Sequence, residues 1–261
     1  MTAGAPRPIV LVPGACLGGW AWRQVAIALR ERGHDVYPVT LTGLGERAHL
    51  ARPEIDLETH ITDVVNVLEF EALEDVVLVG HSYAGAVVSG AGERARDRLQ
   101  AVVYLDTAPP AAGAAIVDMM PEQTREQQRR DVVAHGDGWR WPVPDREALE
   151  SGAFGSTSGL AERHFKLLAE RATPQPYATF TSPLVLSAEQ GRELRRVGIL
   201  CSAGGVTLDA LRALIADGDP RAAAFADPRW ELHELATGHW AMFSAPDELA
   251  ALLALVAAPQ T

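Results

Sequence analysis

Lysine is almost absent from this chain. There is one, Lys166, against twenty-two arginines in 261 residues. No lysine is therefore available for a phosphate-binding loop, and Gly14, Gly18 and Gly19 do not make G-x-G-x-x-G either, which argues against a nucleotide cofactor. Cysteine is nearly as scarce. Cys16 and Cys201, with no C-x-x-C, exclude a disulfide framework and suit a reducing, cytoplasmic setting. Positive charge is in deficit: the net charge of −11 would repel phosphates and argues against a nucleic-acid partner. Long apolar runs are missing too. The run at residues 9–12 is too short for a signal peptide, and the one at 249–258 is about half the length a bilayer span needs, so no membrane partner is expected. There are no internal repeats and no low-complexity stretch.

What the chain does have is enough apolar content, 48%, for one large core. Its first third alternates strand and helix. Strands are predicted at 9–12, 35–41, 76–79 and 101–105, and helices at 20–32, 57–69 and from about 83 to 96. Such alternation implies an α/β fold with a mostly parallel sheet and helices on both faces, with the active site at the carboxyl ends of the strands. The rhythm breaks after Pro109-Pro110. Residues 111–195 carry helical stretches, near 121–135 and 160–171, but no clear buried strand. Many of the aromatics fall there: Trp139, Trp141, Phe154, Phe165, Tyr177 and Phe180. Strands resume at 197–201 and 230–235, and a last helix is predicted from Ser244, with Ser244 and Asp247 as a capping box. The expected organisation is a core of 1–110 and 196–261 with a lid inserted at 111–195.

One hexapeptide carries the chemistry. Gly80-His81-Ser82-Tyr83-Ala84-Gly85 lies between an apolar strand and a run of small residues. A serine on a tight strand-to-helix turn is a nucleophile elbow, which projects its hydroxyl from the sheet edge. The usual pattern is G-x-S-x-G; Ala84 takes the last place here and is small enough to be tolerated. A serine hydroxyl needs a positioned base. In this architecture the base follows the last strand, which selects His239 in Thr237-Gly238-His239-Trp240. His81 is adjacent to the serine but is expected to point elsewhere, and His34, His60, His135 and His233 lack strand-end context. His49 and His164 are within reach of the site from a loop or the lid, with surface roles as the preferred reading. The oxyanion donors are expected to be the amides of Tyr83, after the nucleophile, and Ala15, in the glycine-rich loop after the first strand. Cys16 beside it reads as a packed small side chain.

The strings VLVPGACLGGWAW, VTLTGLGERAHL, VVLVGHSYAG, VVYLD, PQPYATFTSPL and ATGHWAMFSAPDEL together resemble the α/β-hydrolase superfamily, and more narrowly the small lidded bacterial esterases related to plant methyl esterases and hydroxynitrile lyases. The likeness spans almost the whole chain and is weakest over 111–170. It implies the α/β-hydrolase fold, with Ser82 as nucleophile, His239 as base, and Ala15 and Tyr83 as oxyanion donors. Members commonly carry the catalytic acid in the loop after the strand matching 197–201. Here that loop is Ser202-Ala203-Gly204-Gly205 and holds no carboxylate. Asp106, at the end of the 101–105 strand, is the preferred acid; Asp209, in a predicted first helical turn, is the alternative.

The activity implied is hydrolysis of a small hydrophobic or aromatic carboxylic ester through an acyl-enzyme, with no metal or organic cofactor, by a monomer or homodimer. Hydroxynitrile-lyase chemistry is the second reading; relatives with that activity carry a lysine near the catalytic histidine, where this chain has Trp240. A non-catalytic ligand-binding protein is the third.

Overall fold

The computed structural model describes residues 6–186 and 194–258; the part of the expected insertion at 187–193 lies outside them. Eight strands and ten α-helices are formed among these residues. The first half contains β1 (Ile9–Val12), α1 (Arg23–Glu31), β2 (Val36–Pro38), α2 (Leu57–Phe70), β3 (Val76–His81), α3 (Ala84–Arg94) and β4 (Leu99–Leu105). Then come α4 (Glu122–His135), β5 (Arg140–Trp141), α5 (Arg146–Glu150), α6 (Glu162–Arg171), β6 (Gln175–Pro176) and α7 (Ala178–Thr181). The chain finishes with β7 (Arg195–Cys201), α8 (Leu208–Ala216), β8 (Glu231–Leu235), α9 (Ala241–Ser244) and α10 (Pro246–Ala257).

Six strands form one all-parallel sheet in the order β2-β1-β3-β4-β7-β8. Both faces are covered, which is why β1, β3 and β4 read as near-continuous apolar runs rather than alternating ones. Alternate residues go to opposite layers. Val10, Val12, Val76 and Leu78 pack with Ile61, Val64, Val87 and Val88 of α2 and α3. Ile9, Leu11, Val77 and Val79 pack with Val25, Leu29, Leu249 and Leu253 of α1 and α10. The approach of α2 to α3 depends on Gly90, where a Cβ would lie 2.4 Å from Ile61 Cδ1.

The strand order turns back at β1: its successor β2 lies on one side and β3 on the other. The crevice between the ends of β1 and β3 is thus the topological switch point, the usual ligand position in such sheets. Residues following β1, β3, β4 and β8 all converge there. The chain leaves the sheet after β4 and returns at β7, and the segment between hydrogen-bonds to the loops after β1 and β8.

Three local expectations differ from the structure. The helix expected from residue 20 begins as a 3-10 turn, Gly19–Trp22, before α1. The segment after β4 contains a two-residue antiparallel ladder, β5 with β6, whose Trp141 and Gln175 are buried. Ser244 does not cap α10. Its hydroxyl pairs with Thr237 Oγ1 at 2.6 Å and donates to the Trp240 carbonyl, and α10 instead starts with Pro246 in its first turn, where a missing N–H costs nothing.

Candidate active site

Ser82 follows β3 with φ of 51°, a left-handed conformation that costs a non-glycine residue on the order of 1–3 kcal/mol. Its N–H is tied to the Leu105 carbonyl at 3.1 Å. The flanking small residues have separate reasons. A Cβ on Gly80 would lie 2.7 Å from the Ala84 carbonyl and from Val88 Cγ2, so strand and helix could not close the turn. A Cβ on Gly85 would lie 2.8 Å from Thr107, in the loop after β4. Ala84 is fully buried without obstructing either neighbour. The residue that must lack a side chain on the helical side is therefore Gly85, one place beyond the usual motif.

Asp106 follows β4, also in the left-handed region with φ of 48°. Its two carboxylate oxygens have different partners. Oδ1 accepts from the Cys201 amide at 3.1 Å, and Oδ2 lies 2.6 Å from His239 Nδ1. His239 therefore carries its proton on Nδ1, donated to the carboxylate, and presents Nε2 as an acceptor. Asp209 is nowhere near this pair. It lies in the first turn of α8, its side chain 94% exposed, against Arg212 at 3.3 Å; the N-cap of that helix is Thr207. In the loop after β7, which holds no carboxylate, a Cβ on Gly204 would sit 2.7 Å from Ser156 Oγ, in the segment between β4 and β7.

The loop after β1 brings Ala15 to the same cavity as Ser82, Tyr83 and His239. Among the described residues, neither the Ala15 nor the Tyr83 amide donates to a protein acceptor. Cys16 between them and the rest of the loop is buried, with φ of 63°. Burial pushes its thiol up to about 12, so it stays protonated and packs as a small apolar group.

Three histidines occupy places the sequence did not reveal. His81 lines the cavity, its ring 4.5 Å from that of His239, and its Nε2 donates to the His239 carbonyl at 2.9 Å. Burial, then the neighbouring His239, hold His81 well below the usual imidazole range, so it remains neutral. Its Nδ1 lone pair is packed over Gly14, where a Cβ would come within 2.6 Å. His60 is fully buried. It donates from Nε2 to the Thr42 carbonyl and accepts the Tyr83 hydroxyl on Nδ1 at 2.8 Å, while burial lowers its pKa. His164 is buried rather than on the surface, accepting the Ala161 amide at the start of α6. His49 is exposed. A Pro- and Gly-rich context signals turns, but no local pattern signals a side chain that reaches across 158 residues, as His81 does.

The cavity has a volume of about 310 Å³ and is walled by Trp141, Phe154 and Phe180 from the segment after β4, with Ile116, Leu168 and Trp240. Trp139 is not part of this wall; its ring lies half-buried beside the Arg140 guanidinium, 5.0 Å away. Trp141→Ala is expected to shift the ranking of kcat/KM along a series of acyl chain lengths toward longer chains, while Trp139→Ala leaves the ranking as it is. An unchanged ranking in Trp141→Ala would remove that side chain from the specificity wall.

Comparison with known proteins agrees with this architecture. A model of the alpha/beta hydrolase family matches residues 9–252. The chain is 33% identical over 252 residues to a carbendazim hydrolyzing esterase of Nocardioides sp. (strain SG-4G), covering 94% of this chain and 97% of that protein. It is 25% identical to methylesterase 10 of Arabidopsis thaliana, covering 95% and 91%. Among solved structures, an extracellular alpha/beta-hydrolase from a Paenibacillus species superposes with a TM-score of 0.76 at 19% identity, covering 98% of this chain and all of that one. No helix among the described residues is long and apolar enough to cross a membrane. A family match across nearly the whole length, on a sheet whose strand ends gather a serine, a histidine and an aspartate, makes this chain an enzyme of the alpha/beta hydrolase family.

Proposed function

We propose that the protein hydrolyses a small hydrophobic or aromatic carboxylic ester through an acyl-enzyme on Ser82. The observation that carries this reading is the 2.6 Å contact between Asp106 Oδ2 and His239 Nδ1, with His239 and Ser82 lining one apolar cavity. His239 Nε2 takes the Ser82 proton as Oγ attacks the acyl carbon. The Asp106 carboxylate holds the tautomer and stabilises the imidazolium that forms. The Ala15 and Tyr83 amides, which have no protein acceptor among the described residues, receive the oxyanion. His239 then protonates the leaving alcohol, and water, deprotonated by the same nitrogen, releases the acid. Neutral His81 adds no positive charge beside the imidazolium.

The segment 111–195 acts as the lid of this site and supplies its aromatic wall. The esterase and methylesterase relatives support an ester as the substrate class.

A short-chain chromogenic ester and a serine-reactive phosphonate test the reading together. The expected result is turnover of the ester, and one phosphonate attached at Ser82 that abolishes it. A folded protein that neither turns over esters nor takes the label would overturn the proposal.

A further inference from the structure

Cys16 is held from both sides by residues that lie far along the chain. Its N–H donates to the carboxamide oxygen of Gln175 at 2.8 Å, and its carbonyl accepts the Thr173 amide at 2.9 Å. Thr173 also accepts the Gly45 amide on its hydroxyl, which ties the same stretch to a second loop of the core. Gln175 and Thr179 are completely buried. The orientation of the Gln175 carboxamide is dictated by its neighbours. Thr179 Oγ1 gives its proton to the Pro176 carbonyl at 2.7 Å, so its lone pair faces Gln175 Nε2, 2.9 Å away, and the oxygen must face Cys16.

We infer that Gln175 is a positioning residue of the oxyanion site: its carboxamide oxygen, with the Thr173 amide, locks Cys16 in its left-handed conformation and thereby sets the adjacent Ala15 amide. The inference rests on the serine-hydrolase reading above. Cys16 has φ of 63° with a side chain that disfavours it, and its N–H to Gln175 bond is buried, where a donor left unpaired is costly. Without the Gln175 acceptor, the buried donor would be unpaired, and rotation of the loop toward an ordinary conformation would relieve both the unpaired N–H and the strain. Movement of Cys16 carries its chain neighbour Ala15 with it and so displaces the Ala15 N–H, which belongs to the preceding peptide joining Gly14 and Ala15. The wall that shapes the acyl cavity and the strut that holds the oxyanion loop are also one piece, since Gln175 pairs with Trp141 across the β5–β6 ladder.

The test compares Gln175→Met, which keeps the size and removes the acceptor, with Gln175→Glu, whose carboxyl, neutral when buried, offers an acceptor and a donor in the same places. In Gln175→Met, kcat for the chromogenic ester is expected to fall by about 10²-fold with KM changed less than threefold, the pattern of a contact made only in the transition state. The rate of phosphonate labelling at Ser82 should fall in parallel. Gln175→Glu should recover to within about tenfold of the wild type. Gln175→Asn, which withdraws the carboxamide by one methylene, replaces Gln175→Met if the latter does not fold. A folded acceptor-less variant with wild-type kcat and labelling rate overturns the inference while leaving the Ser82 reading intact. A variant in which only thermal stability falls does the same. If instead the wild type takes no label at Ser82, the hydrolase reading fails and this inference falls with it.

Discussion

Ser82→Ala is expected to lower ester hydrolysis by about 10⁶-fold, the loss typical of removing a triad nucleophile. What remains should be the roughly 10³–10⁴-fold advantage over water that binding and an oxyanion site supply without the serine. The folded state should hardly notice. Ser82 Oγ makes no hydrogen bond to protein among the described residues, and alanine keeps the same Cβ at the same φ, so neither a structural contact nor the backbone strain changes. The measurement is kcat on one chromogenic ester beside the thermal midpoint of both proteins. Activity above a few per cent of wild type, in a preparation free of contaminating esterase, would mean that another group attacks the ester.

Asp106→Asn should cost about 10⁴-fold in kcat, for a reason visible in the partners of its two oxygens. The Cys201 amide donates to Oδ1, so in the variant the amide oxygen must stay on that side. The new NH₂ then faces His239 Nδ1, where the carboxylate oxygen accepted a proton before. An imidazole receiving a hydrogen bond on Nδ1 carries its own proton on Nε2 and can no longer accept one from Ser82. Asparagine tolerates left-handed φ at least as well as aspartate, so the turn itself survives. Asp209→Asn, by contrast, should leave kcat at the wild-type level and cost at most about 0.3–1 kcal/mol of stability from a helix-terminal charge. Circular dichroism on both variants confirms folding. A crippled Asp209→Asn with a competent Asp106→Asn would reverse the assignment; two competent variants would mean that His239 works without a carboxylate.

Much of this molecule was legible from its residues in order. A sheet covered on both faces forces continuous apolar strands, so Ile9–Val12, Val76–His81 and Leu99–Leu105 stand out from their surroundings. The elbow announces itself because the turn into α3 admits only small side chains around a serine. What could not be read locally is what depends on contacts between distant stretches. Two carboxylates, Asp106 and Asp209, were open to His239 in the sequence, and only the sheet order, with β4 beside β7, and the position of the loop after β8 decide which one meets it across 133 residues. The same holds for His81, which local context turned away from the site and the fold turns onto the His239 carbonyl. Trp139 and Trp141 are equal in the sequence; a two-residue ladder with Gln175–Pro176 puts one in the cavity wall and the other outside it. The sequence by itself determined the layers, the sheet and the turn that exposes Ser82, because these follow from short-range burial and steric size. The tertiary structure decided the partners of each polar group at the site, because a buried donor or acceptor is satisfied by whatever the packed chain brings within about 3 Å, and nothing in its neighbours along the sequence records that.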